Sequence, residues 1–407
     1  MRIQLWSYNY DPEPQGIGPL STVVAEELAA RGHDVLVVAA HPHYPQAAWG
    51  TRVAPYRERR RGIPVLRLPL WIGRDTGVQR VRQELSFTLA LAASAALLPR
   101  CDVVLAVSPS FPALAPCMAM ARVRRIPWVL WLQDIVTDAA ATTGLLAEGR
   151  LLRTATRLER AAYGSAARIA VISESFRRNL RSKGVPEERI VRIFNPTTVS
   201  MNGSLDRRPA TPPRILAMGN IGRSQALDRI VDEFEASAEL AELDARLVIA
   251  GHGVEAEAVR GHIRGDRVSM LGVLDAEALD RELRSAALGL VSQRADVSEF
   301  NLPSKLMNYM AQGVPVVASV RPDSETARIV ETAGAGWVTD ASRPAEYAAT
   351  AARVLRDREA LLGAGTAGRA FAKSNFDRRR VADQFESVLL EAVQEHRNGG
   401  RRAGTTA

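Results

Sequence analysis

Short apolar runs alternate with helix-like periodicities along the whole chain. Most of the runs consist of Val, Ile and Leu without polar alternation, which is typical of parallel strands covered on both faces. Between them, apolar residues recur at helical spacing, as in Leu20, Val23, Val24 and Leu28. This alternation predicts a doubly wound α/β fold. The strands predicted in the first half are 3–6, 34–39, 65–68, 103–107, 128–132, 168–172 and 190–193.

A proline-rich segment, residues 195–214, interrupts the pattern and has the composition of a linker. After it, strands are predicted at 215–218, 246–250, 268–271, 288–292 and 314–318. We therefore predict two Rossmann-like domains that bind ligands in a cleft between the carboxyl ends of their strands. The predicted segments are a first domain over 1–197, a linker over 198–213, a second domain over 214–376, a helix over 377–395 and a disordered tail over 396–407.

Charge is distributed unevenly along the 407 residues. The formal net charge is +8, but residues 1–200 hold 26 basic and 16 acidic side chains, whereas the remainder holds 27 and 29. A basic first half indicates an anionic partner, which leaves nucleic acid, phospholipid and phosphorylated substrates open. Two cysteines make no disulfide framework, no signal peptide is evident, and no apolar run reaches the ~20 residues of a membrane span. We therefore expect a cytoplasmic protein.

Two glycine-containing turns follow predicted strands. Gly16-Ile17-Gly18 precedes a helix, and Gly219-Asn220-Ile221-Gly222-Arg223 occupies the equivalent place in the second half. Missing side chains allow a phosphate to approach a helix N-terminus, and Arg223 would clamp its charge. The alternatives are a tight strand-to-helix turn and an arginine that faces solvent.

Three further positions follow predicted strands and carry possible chemistry. Gly251-His252-Gly253 would let a backbone approach a ligand, although a histidine in a turn is more often only hydrogen-bonded. Asp134 could orient a sugar or act as a base, or it could cap the next helix. His41 and His43 lack a third metal ligand nearby, so acceptor or loop roles are favoured over zinc.

The segment from Glu299 to Val317 is the most specific motif. Pro303 and Ser304 predict a helix start and Gly313 its end, directly before a buried strand. Lys305 and Asn308 share one helical face, so the lysine would bind a pyrophosphate and the asparagine a ribose hydroxyl. A solvated lysine is the simpler interpretation of Lys305 alone.

Absent motifs narrow the choice of function. The chain contains no G-x-x-x-x-G-K-[ST], no D-x-D and no G-x-S-x-G. These absences argue against a P-loop NTPase, a carboxylate pair for nucleotide-bound Mg²⁺ and a common hydrolase.

Taken together, these motifs resemble the GT-B retaining glycosyltransferases of family 4, and more narrowly the bacterial colanic-acid and O-antigen enzymes. Further segments that carry the resemblance are Pro12-Glu13-Pro14, Arg31-Gly32-His33, His41-Pro42-His43, Leu302-Pro303-Ser304-Lys305 and Pro322-Asp323-Ser324-Glu325. The resemblance implies GT-B architecture, with the acceptor in the N-terminal domain and the nucleotide sugar in the C-terminal domain. It also implies a final helix that crosses back to the first domain, and transfer without a metal or another cofactor.

The motifs and the resemblance together predict roles for individual residues. Asp134, Arg223 and Lys305 would be catalytic, and substrate would contact Gly16, Ile17, Gly18, His43, Gly219, Asn220, Gly222, His252, Gly253, Glu299, Pro303, Ser304 and Asn308. The broader family carries two glutamates eight residues apart, where this chain has Phe300 and Asn308, with Glu299 one position out of register. Ser224 and Gln225 stand where a lysine is common, and Lys305 would replace that charge.

The implied partners are a UDP- or GDP-sugar and a glycan or polyprenyl-diphosphate-linked acceptor, which suits an enzyme at the inner face of the cell membrane. Residues 85–98, with flanking arginines, are the candidate membrane contact, and an ordinary buried helix is the alternative. Other functions remain open: a natural-product glycosyltransferase, a non-hydrolysing nucleotide-sugar epimerase, and a basic nucleic-acid-binding protein. No aromatic series supports nucleic-acid binding, since aromatic residues make up only 5% of the chain.

Overall fold

The computed structural model divides the chain into two compact units, Met1–Pro196 together with the chain from Arg378 onward, and Thr197–Asp377. It describes residues 1–14, 16–43, 49–50, 52–73, 77–108, 110–135, 150–201, 207–296 and 303–404, with the backbone alone at 150–152 and 399–404. Within these residues no helix is both long and apolar enough to cross a bilayer.

The first unit is built on an eight-stranded sheet. Its strands are β1 Arg2–Ser7, β2 Asp34–Ala40, β3 Tyr56–Arg60, β4 Ile63–Leu68, β5 Val103–Val107, β6 Trp128–Leu132, β7 Arg168–Val171 and β8 Ile190–Arg192. The strand order is β3-β4-β2-β1-β5-β6-β7-β8, and only the β3–β4 pairing among the described strands is antiparallel. Strands β5 and β6 are buried at every position because helices cover both faces of the sheet.

Six described helices belong to the first unit. They are α1 Ile17–Ala30, α2 Gly77–Ala95, α3 Leu114–Arg124, α4 Arg150–Ser165, α5 Glu174–Ser182 and, at the end of the chain, α14 Arg378–Gly404. Helix α14 packs in this unit through Phe385, whose ring lies 4.7 Å from that of Trp131 on β6. Arg31, after α1, donates to Asp383 on α14 at 2.8 Å.

The second unit carries a six-stranded parallel sheet. Its strands are β9 Arg214–Met218, β10 Arg246–Ala250, β11 Val268–Gly272, β12 Ala286–Ser292, β13 Val316–Val320 and β14 Gly336–Asp340, in the order β11-β10-β9-β12-β13-β14. Its described helices are α6 Leu227–Ala236, α7 Ala238–Glu242, α8 Ala256–Gly261, α9 Ala276–Ser285, α10 Ser304–Ala311, α11 Glu325–Thr332, α12 Ala345–Leu355 and α13 Arg358–Asn375.

The two parallel sheets confirm the predicted α/β fold class, and two edge strands were missed. Strand β3 has the sequence Tyr-Arg-Glu-Arg-Arg, and its antiparallel pairing at the sheet edge does not require an apolar run. Strand β14 is only half-buried. Strand β13 begins at Val316 rather than 314, because Val314 N first closes a turn onto Tyr309 O at 2.9 Å.

Two predicted segments differ from the structure. The predicted linker over 198–213 lies in the second unit, where Arg207 donates to the carbonyl oxygen of Gly313 at 2.7 Å and Ala210 N to that of Ser285 at 2.9 Å. The predicted disordered tail from 396 is also wrong in part, since α14 continues to Gly404. Two glycines at 399–400 cost a helix only about 1 kcal/mol each relative to alanine, which the long preceding helix tolerates.

Candidate functional site

The turns that follow β9 and β10 touch backbone to backbone. Ile221 N donates to the carbonyl oxygen of His252 at 3.0 Å. A Cβ atom added to Gly251 would stand 1.8 Å from the Gly219 carbonyl oxygen, and one added to Gly253 would stand 2.3 Å from that of Ile221. The glycines at 251 and 253 are therefore required by the joined turns themselves. The imidazole of His252 is exposed, and its contact with substrate stays a prediction.

Helix α10 is anchored to β9 by Tyr309, which is fully buried. The Tyr309 hydroxyl donates to Leu216 O at 2.6 Å and accepts from Met218 N at 3.1 Å. Burial raises the pKa of Tyr309, so the phenol remains a donor. Its ring lies against Gly289 of β12, where a Cβ atom would come within 2.6 Å of it. These contacts fix the helix that carries Lys305 against the strand that leads into the Gly219 turn.

Lys305 is a buried cation beside that turn. Its side chain is buried, and its Cε lies 3.9 Å from the place of a Cβ atom on Gly219. The ammonium donates to Gln225 Oε1 at 2.7 Å, and among the described residues no carboxylate pairs with it. Burial lowers the pKa of Lys305 to about 8. A buried ammonium that no described carboxylate neutralises is suited to binding an anionic ligand.

Arg223 opens the short 3₁₀ turn Arg223–Gln225 and is 84% exposed. Its Nε donates to Glu255 Oε1 at 3.1 Å, and the two side chains, with Arg294, line a depression of about 210 Å³. Because an exposed ion pair contributes at most about 1 kcal/mol, the guanidinium can exchange Glu255 for a ligand phosphate at small cost. Its role as a clamp stays a prediction.

Helix α10 begins at Ser304 after Pro303, as the sequence predicts. Pro303, the N-cap residue, makes no side-chain cap, and no acidic residue lies in the first turn, so no described side chain competes with an anion for the amide groups of Ser304 and Lys305. The predicted contacts of Glu299 lie outside the described residues.

The carboxamide of Asn308 is hydrogen-bonded to two threonines at the start of the second unit. Its Oδ1 accepts from Thr197 Oγ1 at 3.0 Å, and its Nδ2 donates to Thr198 Oγ1 at 3.4 Å. The carboxamide thus fastens the first residues of the second unit to α10. The predicted contact between Asn308 and a ribose hydroxyl stays a prediction.

In the first unit, the turn before α1 is open on one side. Gly16 adopts φ +69°, and a Cβ atom there would meet nothing within 4 Å. Gly18 is different, because its Cβ atom would stand 3.0 Å from the Glu13 carbonyl oxygen. Ile17 is the first residue of α1, whose first turn contains no acidic side chain. Gly18 is thus closely packed against Glu13, whereas Gly16 faces open space and Ile17 is half-buried at the helix N-terminus.

The loop between β1 and Gly16 is organised around the buried carboxylate of Glu13. Its Oε1 accepts from His43 N at 2.8 Å, and its Oε2 accepts from Asn9 Nδ2 at 2.9 Å and from Tyr10 N at 3.3 Å. The imidazole of His43 is buried, with Nδ1 3.3 Å from Glu13 Oε1 and the ring 4.5 Å from that of Tyr8. Glu13 therefore joins the loop after β1 to the loop after β2.

His41 and His43 do not converge on one metal site. The Nε2 of His41 lies 2.7 Å from Gly50 O, and its Nδ1 lies 3.1 Å from the hydroxyl of Tyr56. Within the described ranges, no three His, Cys, Asp or Glu side chains are grouped so that they could hold a metal ion.

Arg67 of β4 also contacts the loop that contains Glu13. Its guanidinium is fully buried and donates to Glu58 Oε1 at 2.7 Å, to Ala40 O at 3.1 Å and to Asp11 O. The cation is neutralised by Glu58, so it serves the fold of the loop rather than an anionic ligand.

Asp134 lies two residues beyond the end of β6, as predicted for a residue at a strand's carboxyl end. Burial raises the pKa of its carboxyl group, which accepts from the backbone of Ile135. A desolvated carboxylate at this edge is suited to bind a hydroxyl group. The alternative role of Asp134, capping the next helix, concerns residues 136–149, which lie outside the described ranges.

Sequence reasoning missed two residues that organise these loops. Glu13 was used only as part of a motif, and Gln225 only as a position where a lysine is common. A glutamate between two prolines in a loop gives no signal of burial, and the partner of Gln225 lies 80 residues away.

Comparison with known proteins shows two family matches and a relative that aligns over nearly its full length. Residues 15–196 match the family described as "Glycosyl transferase 4-like domain", and residues 212–357 match "Glycosyl transferases group 1". The chain is 28% identical over 414 residues to a putative colanic acid biosynthesis glycosyl transferase, WcaI, of Escherichia coli K12, and the alignment covers 95% of this chain and 98% of the relative.

Solved structures of low sequence identity share the fold. A sucrose-phosphate synthase of Thermosynechococcus elongatus superposes with a TM-score of 0.70 at 17% identity, over 96% of this chain and 98% of the other. Anabaena HepE in complex with UDP superposes with a TM-score of 0.69 at 15% identity, over 96% and 100%.

Proposed function

Since the chain belongs to the GT-B glycosyltransferases of family 4, we propose that it moves a sugar from a nucleoside-diphosphate donor to a glycan acceptor. The donor is a UDP- or GDP-linked hexose, and transfer retains the anomeric configuration. The acceptor is a polyprenyl-diphosphate-linked or other cell-surface glycan, which the likeness to a colanic acid biosynthesis enzyme favours.

One observation carries the proposed donor site: the ammonium of Lys305, buried and without a described carboxylate, beside the Gly219 turn. A diphosphate would supply the missing negative charge. Gly219, Asn220 and Gly222 would contact it through a turn free of bulky side chains, with Gly253 and His252 in the adjoining turn. Pro303 and Ser304 would present the N-terminus of α10 to the same phosphates.

Lys305 and Arg223 would act catalytically by stabilising the charge that develops on the departing diphosphate. The bond between the anomeric carbon and the phosphate oxygen breaks, and the acceptor oxygen bonds to the same face of that carbon. The departing phosphate oxygen takes the proton of the acceptor hydroxyl. Because protein cations supply the positive charge, we propose that no metal or other cofactor is needed.

The first unit would bind the acceptor. Gly16 leaves the N-terminus of α1 open, and Ile17, Gly18 and His43, whose backbone N–H donates to Glu13 Oε1, would contact the acceptor with it. Asp134 would orient a hydroxyl group of the sugar or acceptor through its partly desolvated carboxylate.

A thermal-shift panel tests the proposal, using UDP, GDP, dTDP and ADP and their common sugars with and without EDTA. A ligand at ~100-fold over its dissociation constant stabilises a protein by ~2.7 kcal/mol. We expect one nucleotide class to raise the melting temperature in both conditions. No shift with any of the four, or a shift abolished by EDTA, would contradict the donor site or the metal-free mechanism respectively.

We also propose that α2 contacts an anionic membrane surface, where a lipid-linked acceptor would be found. Its inner face buries Gln83, Phe87, Leu91 and Ala95. Its outer face exposes Val78, Val81, Leu85 and Leu89, which recur at helical spacing. The exposed arginines Arg80 and Arg82 supply charge complementary to anionic lipids, with the guanidinium of Arg82 3.6 Å from the ring centre of the exposed Trp71.

Flotation with vesicles of phosphatidylglycerol and phosphatidylethanolamine tests this contact. The double variant Leu85→Ser, Leu89→Ser should bind at least tenfold more weakly, because burying each leucine contributes about 1.5–3 kcal/mol. Leu362→Ser, on an exposed leucine of α13, is the matched control. Equal flotation of the double variant and the control would remove the membrane proposal.

A further inference from the structure

We propose that Gln225 is a positioning residue for donor binding: it holds the Lys305 ammonium at the Gly219 turn without neutralising it. The inference rests on the proposed function, because it assumes that the donor diphosphate binds at this turn. It adds a residue that neither the motifs nor the comparisons assign.

The carboxamide of Gln225 bridges two elements. Its Oε1 accepts from Lys305 Nζ at 2.7 Å, and its Nε2 donates to the carbonyl oxygen of Asn220. An ammonium group can only donate and a carbonyl oxygen can only accept, so a single orientation of the carboxamide satisfies both partners. Gln225 thereby ties the amine of α10 to the backbone of the glycine turn.

The neutrality of this bridge matters for binding an anion. A glutamate at 225 would form an ion pair with Lys305 and compete with the diphosphate, whereas a glutamine leaves the positive charge uncompensated. The contrast with Arg223 is direct, since that guanidinium is exposed and paired with Glu255. The lysine that the broader family commonly has at position 224 or 225 is thus replaced by Lys305 of α10, and the uncharged side chain of Gln225 holds its ammonium in place.

The bridge also influences the charge state of the amine. Burial lowers the pKa of Lys305 to about 8, and an acceptor hydrogen bond to the ammonium favours the charged form. Lys305 is the only charged residue in α10. Among the described residues, Arg369 and Arg207 donate to the carbonyl groups of Ala311 and Gly313 at the end of α10. Around the turn lie two further pairs, Arg223 with Glu255 and Arg294 with Asp296.

The test is calorimetric titration of UDP, GDP, dTDP and ADP into the full chain from pH 6.5 to 9.5, followed for the nucleotide that binds. In the wild type the affinity should fall above about pH 8, as Lys305 loses its proton. Gln225→Glu should weaken binding at least tenfold at pH 7 and move this fall to higher pH. Gln225→Leu should weaken binding and move the fall to lower pH.

Two reference variants separate the possible failures. Gln394→Glu makes the same charge change at an exposed position of α14 and should bind like the wild type. Wild-type affinity and pH profile in both Gln225 variants, with binding lost in Lys305→Met, would overturn the role of Gln225 and leave the donor site intact. Wild-type binding by Lys305→Met, or no binding of any nucleotide by the wild type, would overturn the proposed function itself.

Discussion

The two units each have a glycine-containing turn after a strand of the sheet, and buried groups of opposite charge lie beside the two turns. In the first unit the loop after β1 surrounds the carboxylate of Glu13, which accepts hydrogen bonds from His43 N, Asn9 Nδ2 and Tyr10 N. In the second unit the turn after β9 adjoins the ammonium of Lys305, whose hydrogen-bond partner among the described residues is the neutral Gln225. The first charge is already used in folding, whereas the second is available to a ligand. The comparison therefore supports the proposal that the donor diphosphate binds at the second turn.

The largest expected effect is a steric loss of stability, which should be greater at Gly251, packed against the turn after β9, than at Gly16 in the first unit. Alanine at Gly251 would place a Cβ atom 1.8 Å from the Gly219 carbonyl oxygen, which we expect to cost roughly 3 kcal/mol or more of folding free energy. Alanine at Gly16 meets no atom within 4 Å, and its φ of +69° costs about 1–2 kcal/mol. Urea denaturation of both variants measures the difference. Equal loss of stability would show that the turns after β9 and β10 are not joined as described.

Lys305→Met should affect binding next most strongly. Loss of a charged hydrogen bond to the diphosphate, worth about 1.5–3 kcal/mol, should raise the nucleotide dissociation constant by about 10- to 150-fold. The fold should tolerate methionine, because it removes a desolvated charge from a buried site. Calorimetry gives the affinity and a thermal melt gives the stability. Unchanged affinity in a folded variant would contradict the assignment.

Glu13→Gln should act on stability. The amide keeps the shape of the carboxylate but replaces one acceptor oxygen with a donor group, so we expect a loss of about 1–3 kcal/mol. A denaturant midpoint lowered at constant slope would be the expected result. Wild-type stability in this variant would mean that Glu13 does not hold the loop after β1.

The titration of Lys305 gives a distinct dependence of stability on pH. Its pKa in the folded chain, about 8, lies below the ordinary value of 10.5, so the unfolded chain binds more protons between these values. The contribution of this group to the free energy of unfolding should therefore rise with pH across that interval. Measuring the free energy of unfolding of the wild type and of Lys305→Met at pH 7.5 and at pH 10 isolates this contribution. If the two proteins change in stability by the same amount between these pH values, the burial of the amine is contradicted.

Arg223→Ala should have the smallest effect. The guanidinium is exposed and paired with Glu255, so its contribution to affinity is screened by solvent. We expect a rise of at most about fivefold in the donor KM and little change in the melting temperature. Wild-type turnover in both Arg223→Ala and Lys305→Ala would contradict the proposed stabilisation of the departing diphosphate.

The sequence predicted the strands that are buried on both faces, because an apolar run in Val103–Val107 or Trp128–Leu132 has few alternatives. It missed β3, since a charged edge strand has no such run. It identified Lys305 from its place at a helix start, but local spacing carries no information on burial or on Gln225. Glu13 was missed for the same reason, because its partner His43 is 30 residues away.

The most direct test of the account is a side-by-side calorimetric titration of wild type, Lys305→Met and Glu13→Gln with the four nucleoside diphosphates at pH 7. The account predicts that Lys305→Met loses affinity by at least tenfold for the nucleotide that binds, whereas folded Glu13→Gln retains it. Loss of affinity in Glu13→Gln with unchanged affinity in Lys305→Met would contradict the account, because it would place the diphosphate at the first turn.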